Sequence, residues 1–187
     1  AALVAAIIFG MLDAGVDWSF YYHIWDQVFY REQFRDFFSD SGLSLMVRHW
    51  NEVPHRFGLF GVDERVRPQY FVYQMLSRLG EERVEAQSTD QDLRVLAARK
   101  EDAVSVMIVN LNLRSSRDNI VTTTFTNLRP GQKRLVVQRI DKDHRWHADD
   151  LEMIPVECRE VDTPTEFQCQ VLSPADSVAM VALEDLE

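Results

Sequence analysis

Side chains able to ligate a metal or move a proton concentrate in three places along this chain. In the first, His144-Arg145-Trp146-His147 stands among Asp141, Asp143, Asp149 and Asp150. These residue types bind zinc or calcium. The run lies between two predicted strands and lacks the central glycine of a calcium loop, so its charges suit a solvated turn and no metal is expected. The second is Trp50-Asn51-Glu52-Val53-Pro54, a carboxylate flanked by His49 and His55. Neither histidine has an identifiable partner, and Glu52 reads as a loop carboxylate, solvated or paired with Arg48 or Arg56. The third is Tyr21-Tyr22-His23-Ile24-Trp25-Asp26, where aromatic faces, an imidazole and a carboxylate follow one another. No Ser-His-Asp order, phosphate loop or dinucleotide fingerprint appears, and no cofactor is expected.

The cysteines give a register argument. A hairpin centred on Thr163-Pro164 would set Cys158 opposite Cys169. The same register places Ile154, Val156 and Cys158 on one face with Phe167, Cys169 and Val171, leaving Glu157, Gln168 and Gln170 outside. Two buried thiols are the expectation. Two cysteines make no disulfide framework, so the cellular compartment stays open.

The elements that must carry these residues fall into two halves with different periods. Ala1 to Ala14 predicts an apolar helix, and Gly15 breaks it before an aromatic strand over 17–26. That strand is apolar on both faces, which suits a buried parallel strand. A long aromatic-rich stretch, 28–66, follows, with Phe34, Phe37 and Phe38 on one short helix. Pro68 then opens a second helix bearing Val72, Met75, Leu76 and Leu79, and Gly80 stops it. From Val84 the period becomes two. Strands are predicted over 83–89, 93–100, 103–112, 119–128, 132–141, 151–161, 167–172 and 177–184, at the short spacing of an antiparallel sandwich. The fold class expected is α/β plus all-β, divided into 1–82 and 83–187.

Composition narrows the partners. The 187 residues are 46% hydrophobic and carry 20 basic against 30 acidic side chains, a net charge of −10. That balance argues against nucleic acid, whose binding rests on Lys and Arg, and against an anionic membrane. The apolar run at the start is too short to span a bilayer and has no basic region before it. A helix apolar on all sides needs cover on several sides. It predicts that the chain is the C-terminal piece of something larger.

The order of helix, aromatic strand ending in Trp25-Asp26, loop, Gly58-Leu59-Phe60-Gly61, and a helix from Arg67-Pro68 to Leu79-Gly80 resembles the end of the catalytic barrel in clan A glycoside hydrolases. It is most like family 39, the β-xylosidase and α-L-iduronidase type, in which a β-sandwich also begins just after that helix. The resemblance implies the last helix–strand–helix of a (β/α)8 TIM barrel followed by an accessory sandwich. It implies a retaining hydrolase acting on O-glycosyl bonds, with its two catalytic glutamates after the fourth and seventh barrel strands. Both would lie upstream in a missing N-terminal barrel segment, leaving this fragment inactive by itself. Asn51-Glu52 looks like the clan's acid/base pair but follows the wrong strand.

Barrel sites sit at the C-terminal ends of strands. The resemblance therefore makes Tyr22, His23, Trp25 and Asp26 the substrate-binding candidates, with carbohydrate as the partner through the parent barrel. Strand alternation puts Tyr22 and Ile24 on one face and His23 and Trp25 on the other, and Tyr22 is favoured as the pocket aromatic. The alternative is a non-catalytic carbohydrate-binding or structural β-sandwich module. It would need an exposed aromatic platform, yet beyond Gly80 the aromatics are only Phe125, Trp146 and Phe167.

Overall fold

The computed structural model describes residues 1–52, 57–115, 117–144 and 151–186. Helix α1 spans Ala2–Asp13. Its Ala2, Ala5, Ala6 and Phe9 recur at helical spacing and are buried, while Leu3, Ile7 and Leu12 face outward. Helix α2 (Asp40–Val47) is capped by the Ser39 hydroxyl, which accepts from the Gly42 N–H at 3.2 Å. A 3-10 turn, Arg31–Phe34, precedes it, and a π-helical turn, Arg48–Glu52, follows.

Helix α3 spans Pro68–Arg78 and buries Phe71, Val72 and Met75. Proline at its first position removes an N–H that would have had no helical acceptor. Gly80 stops the helix at φ +102°, and a Cβ there would sit 2.7 Å from the Arg99 carbonyl oxygen. Only glycine meets both demands.

The strands are β1 (Glu82–Val84), β2 (Leu93–Lys100), β3 (Ala103–Asn110), β4 (Asn119–Phe125), β5 (Gly131–Ile140), β6 (Glu157–Thr163), β7 (Phe167–Ser173) and β8 (Ser177–Asp185). Six form an antiparallel sheet in the order β1-β2-β3-β8-β5-β6, and β4 and β7 pair separately. The sheet is buried on both faces along its centre. Leu96, Ala98, Met107, Val109, Val178 and Met180 pack against α1 and α3. Ala97, Val106, Ile108, Ala179, Val181 and Leu183 pack against Phe125, Cys169 and Val171 of the small sheet. Strand alternation thus feeds two cores from one sheet, and β8 is apolar from Val178 to Leu183 for that reason.

Two sequence expectations need correction. No ladder forms over 17–26, where Trp25 alone makes a bridge, parallel to Phe60. Trp18 is 81% exposed and Phe20 89%. A strand is defined by its ladder, and before Trp25 only isolated backbone bonds form among the described residues, from the Leu59 N–H to the His23 carbonyl and from the Phe60 N–H to the Ile24 carbonyl. The cysteine hairpin is also absent. Strand β6 pairs with β5 and β7 with β4, so Cys158 lies opposite Val136 and Cys169 opposite Thr123. The chain crosses between sheets at 164–166, so successive strands do not pair. In β6 the inward residues are Val161 and Thr163, which leaves Cys158 exposed, while Cys169 is buried as expected.

Candidate functional site

The segment 21–26 is held by a second segment, 57–69, through backbone approaches that glycine permits. The Asp26 N–H donates to the Phe60 carbonyl at 2.8 Å and the Phe60 N–H to the Ile24 carbonyl at 2.9 Å. The Arg67 N–H donates to the Leu59 carbonyl at 2.8 Å, tying the start of α3 to the same point. A Cβ on Gly58 would stand 2.4 Å from the Asp26 nitrogen and 2.5 Å from the Phe60 oxygen. The Gly-Leu-Phe-Gly run therefore has a steric reason for its first glycine. Gln69, buried, donates through Nε2 to the Gly58 carbonyl at 2.7 Å.

Asp26 is the centre of this knot. Its side chain is only 6% exposed. Oδ2 accepts from Arg67 Nη2 at 2.7 Å, and Oδ1 accepts from the Gly58 N–H at 2.8 Å. A buried carboxylate needs such partners to remain charged. Both oxygens are engaged by protein, so Asp26 is placed as an anchor beneath the surface rather than on an open wall.

The other three candidates are more open. Tyr22 is 69% exposed, and its ring meets His23 edge-on, with centroids 4.5 Å apart. His23 is half-buried, its Nδ1 against the Trp25 carbonyl oxygen. Trp25 stacks on Phe60 with ring centroids 4.8 Å apart, which leaves its other face free of that contact. The neighbouring Tyr21 turns inward, and its hydroxyl donates to the Phe57 carbonyl at 2.6 Å. Burial raises the Tyr21 pKa, a hydrogen bond with Gln69 opposes this, and the Asp26 charge reinforces it. The geometry thus offers two exposed aromatic rings and an imidazole on a segment fixed from below. Such rings can cover the apolar face of a ring-shaped ligand while the imidazole bonds to its polar groups.

Arg67, Gly58, Gln69 and Phe60 were not among the residues the sequence singled out for the site. One signal was available for Arg67: an Asp placed at the end of a buried segment calls for a cation, and Arg67 stands at the head of the next helix.

Two other sequence candidates find structural work. Asn51 clamps the peptide of Phe29, with Nδ2 donating to its carbonyl at 2.9 Å and Oδ1 accepting from its N–H at 2.8 Å. The amide beside the motif's carboxylate thus holds the aromatic group Phe29, Phe34 and Phe38. Val53, Pro54 and His55 lie outside the described residues. In the acidic run, Asp141 is buried and accepts from Arg139 Nε at 2.5 Å and His144 Nδ1 at 2.9 Å. Residues 145–150 lie outside the described residues.

Comparison with known proteins gives an answer at the level of fold. No family model matches the sequence, and no curated protein matches it. Solved structures do. The family 39 enzyme of Xanthomonas axonopodis pv. citri superposes with a TM-score of 0.54 at 15% identity, over 70% of this chain and 32% of that one. The chain shares its fold with part of a family 39 glycoside hydrolase. A glucosidase from Croceicoccus marinus matches at a TM-score of 0.56 and 17% identity, over 71% of this chain and 34% of that one. A monomeric β-xylosidase from Caulobacter crescentus CB15 matches at 0.52 and 19%, over 70% and 33%. The chain spans about a third of the length of these structures. Among the described residues, no helix is long and apolar enough to cross a membrane.

Proposed function

We propose that residues 1–187 are the C-terminal portion of a retaining glycoside hydrolase of the xylosidase or iduronidase type. In this reading 1–82 supply the last helix–strand–helix of a (β/α)8 barrel and 83–187 the accessory sandwich. Both catalytic glutamates belong to the missing barrel segment, and the portion described here has no hydrolytic activity of its own. Its contribution is part of the sugar pocket: Tyr22 and Trp25 as aromatic faces, His23 as a hydrogen-bonding group, and Asp26 as the anchor that holds them. The expected partner is a carbohydrate rather than nucleic acid or a membrane.

The observation that carries this reading is the exposed aromatic segment. Trp18, Phe20, Tyr22 and Ile24 are all exposed in the run that follows α1 in sequence, and Leu3, Ile7 and Leu12 of α1 are exposed as well. So many exposed large apolar side chains call for a cover, and neighbouring barrel strands and helices would supply it. The fold likeness, confined to about a third of each glycosidase, supports the same reading. Among the described residues of the sandwich the binding-module alternative gains no support, since Phe125 is buried and Phe167 half-buried.

The test is to read the coding sequence upstream of Ala1 and express the whole frame. We expect further barrel strands, Asn-Glu after the fourth and Glu after the seventh, and hydrolysis of an aryl β-xyloside or α-iduronide. A stop codon directly before Ala1, or a whole product that cleaves no glycoside, would defeat the proposal.

A further inference from the structure

The large sheet ends at β6, and among the described residues no strand pairs with its outer edge. A row of unpaired N–H and C=O groups invites another strand, and charged side chains are the usual guard against it. β6 carries that guard in Glu157, Arg159, Glu160 and Asp162, with the exposed Cys158 among them. The guard fails against one partner, β6 of a second copy. A two-fold axis normal to the sheet sets two β6 edges antiparallel and keeps both faces continuous, so each residue meets one from its own face. The axis must then pass beside one residue, which meets itself. Centred on Glu157, Arg159, Glu160 or Asp162, a charge opposes its own kind. Centred on Val161, Glu160 opposes Asp162 twice, and centred on Thr163 the paired stretch leaves β6 at Pro164. Centred on Cys158, Glu157 opposes Arg159 of the second copy, and Arg159 opposes its Glu157. Opposite charges across a ladder stabilise it and like charges destabilise it, so this register is selected.

We infer that the outer edge of β6 is a docking surface for a second copy of this chain, paired antiparallel about Cys158 so that two six-stranded sheets become one. Glu157 and Arg159 already pair within the strand at 2.7 Å, and the second copy completes a ring of four alternating charges on that face. On the other face Val156 and Cys158 of both copies meet around the axis. Val156 is 37% exposed in the single chain, and its N–H donates to the Val137 carbonyl at 2.8 Å, so it continues the ladder. The contact is short and therefore weak and readily exchanged. Its lasting form is covalent. Residues opposed in an antiparallel ladder stand roughly 4.5–5.5 Å apart at Cα, within the span of a disulfide. Glutathione disulfide as oxidant takes two electrons and two protons from the two Cys158 thiols. One S–S bond forms between the copies, and the oxidant leaves as two molecules of glutathione.

The experiment follows disulfide-linked dimer on non-reducing gels while the 187-residue chain is held in glutathione disulfide. Every protein tested carries Trp18→Ser and Phe20→Ser, so that association through the aromatic segment does not contribute. This parent should cross-link, and Cys158→Ala should abolish the product, since Cys169 is buried. Arg159→Glu alone and Glu157→Arg alone each oppose like charges across the edge and should cross-link about 10-fold more slowly. Mixed with each other, the two variants regain both opposite pairs, so linked dimer should form near the parental rate and contain one chain of each. The double variant Glu157→Arg, Arg159→Glu should also return to the parental rate. The mixture decides the matter even where one substitution lowers stability, because each chain is the same alone and mixed. Equal rates throughout would mean chance collision of an exposed thiol and would overturn the inference. No linked dimer in the parent, or a linkage that survives Cys158→Ala, overturns it as well.

Discussion

Arg67 and Asp26 are 41 residues apart in sequence, yet Arg67 Nη2 donates to Asp26 Oδ2 at 2.7 Å, closing the aromatic segment onto the head of α3. The carboxylate is nearly inaccessible and the guanidinium only 22% exposed. Removing one partner of such a pair strands a buried charge, at a cost of about 3 kcal/mol. Asp26→Ala and Arg67→Ala should therefore each lower the urea midpoint clearly. The double variant should lose much less than the sum, because neither charge is then left alone. Additive losses would mean the two residues do not act as a pair.

The glycines divide sharply by surroundings. Gly58→Ala would drive a Cβ into the Asp26 and Phe60 backbone, and Gly80→Ala would combine left-handed strain with a contact on Arg99. Both should destabilise the fold by roughly 1–3 kcal/mol. Gly10 lies within α1 with nothing within 4 Å of its would-be Cβ. Gly10→Ala should instead raise stability by about 0.5–1 kcal/mol through helix propensity. Thermal melts of the three variants check the ordering, and a stabilising Gly58→Ala would contradict it.

What could be read from the sequence follows from what is local. Sequence pattern predicts β2 over Leu93–Lys100 and it occurs there, because its turns and period are its own. α3 was equally plain from Pro68 and Gly80. The pairing of β6 with β5 was not, since a tight-looking Thr163-Pro164 turn is equally a crossing between two sheets. The composition of 17–26 suggests a strand, but its pairing depends on neighbours that no local pattern supplies. In the candidate site, Tyr22, His23 and Trp25 are singled out by residue type alone. The anchor role of Asp26 needed Arg67 and Gly58, which only the folded chain brings together.

Asp141 makes stability depend on acid. Burial works against its charged form, but donors from His144, Asp143 and Arg139 outweigh this and lower its pKa from 3.8 to about 2. Its contribution, about 2 kcal/mol, is present above pH ~4 and is lost as pH falls through about 2. Urea unfolding of the parent and Asp141→Asn between pH 5 and 2 should show a stability gap that narrows below pH ~4. A constant gap would mean that its charge is not what stabilises.

The thiols should differ in reactivity. Cys158 is exposed, whereas Cys169 is buried, with a pKa raised by burial and by the Glu157 charge against a smaller opposing effect of Arg159. A thiol reagent at pH 8 should label Cys158 in the native chain within minutes and Cys169 only on unfolding. Simultaneous labelling of both in the native protein would place Cys169 at the surface.

The exposed rings of Trp18 and Phe20 predict that the 187-residue chain self-associates through the aromatic segment. Trp18 and Phe20 project into solvent and contribute little to either core, so replacing them removes apolar surface without opening a cavity. The double variant Trp18→Ser, Phe20→Ser should reduce self-association in sedimentation while its melting temperature stays within a degree or two of the parent. In the product of the whole frame the same changes should lower the melting temperature, because there the rings would be buried among barrel neighbours and their loss would cost several kcal/mol. If the rings are free in both contexts, the double variant will melt like its parent in both, and 17–24 is then a surface segment rather than a barrel strand.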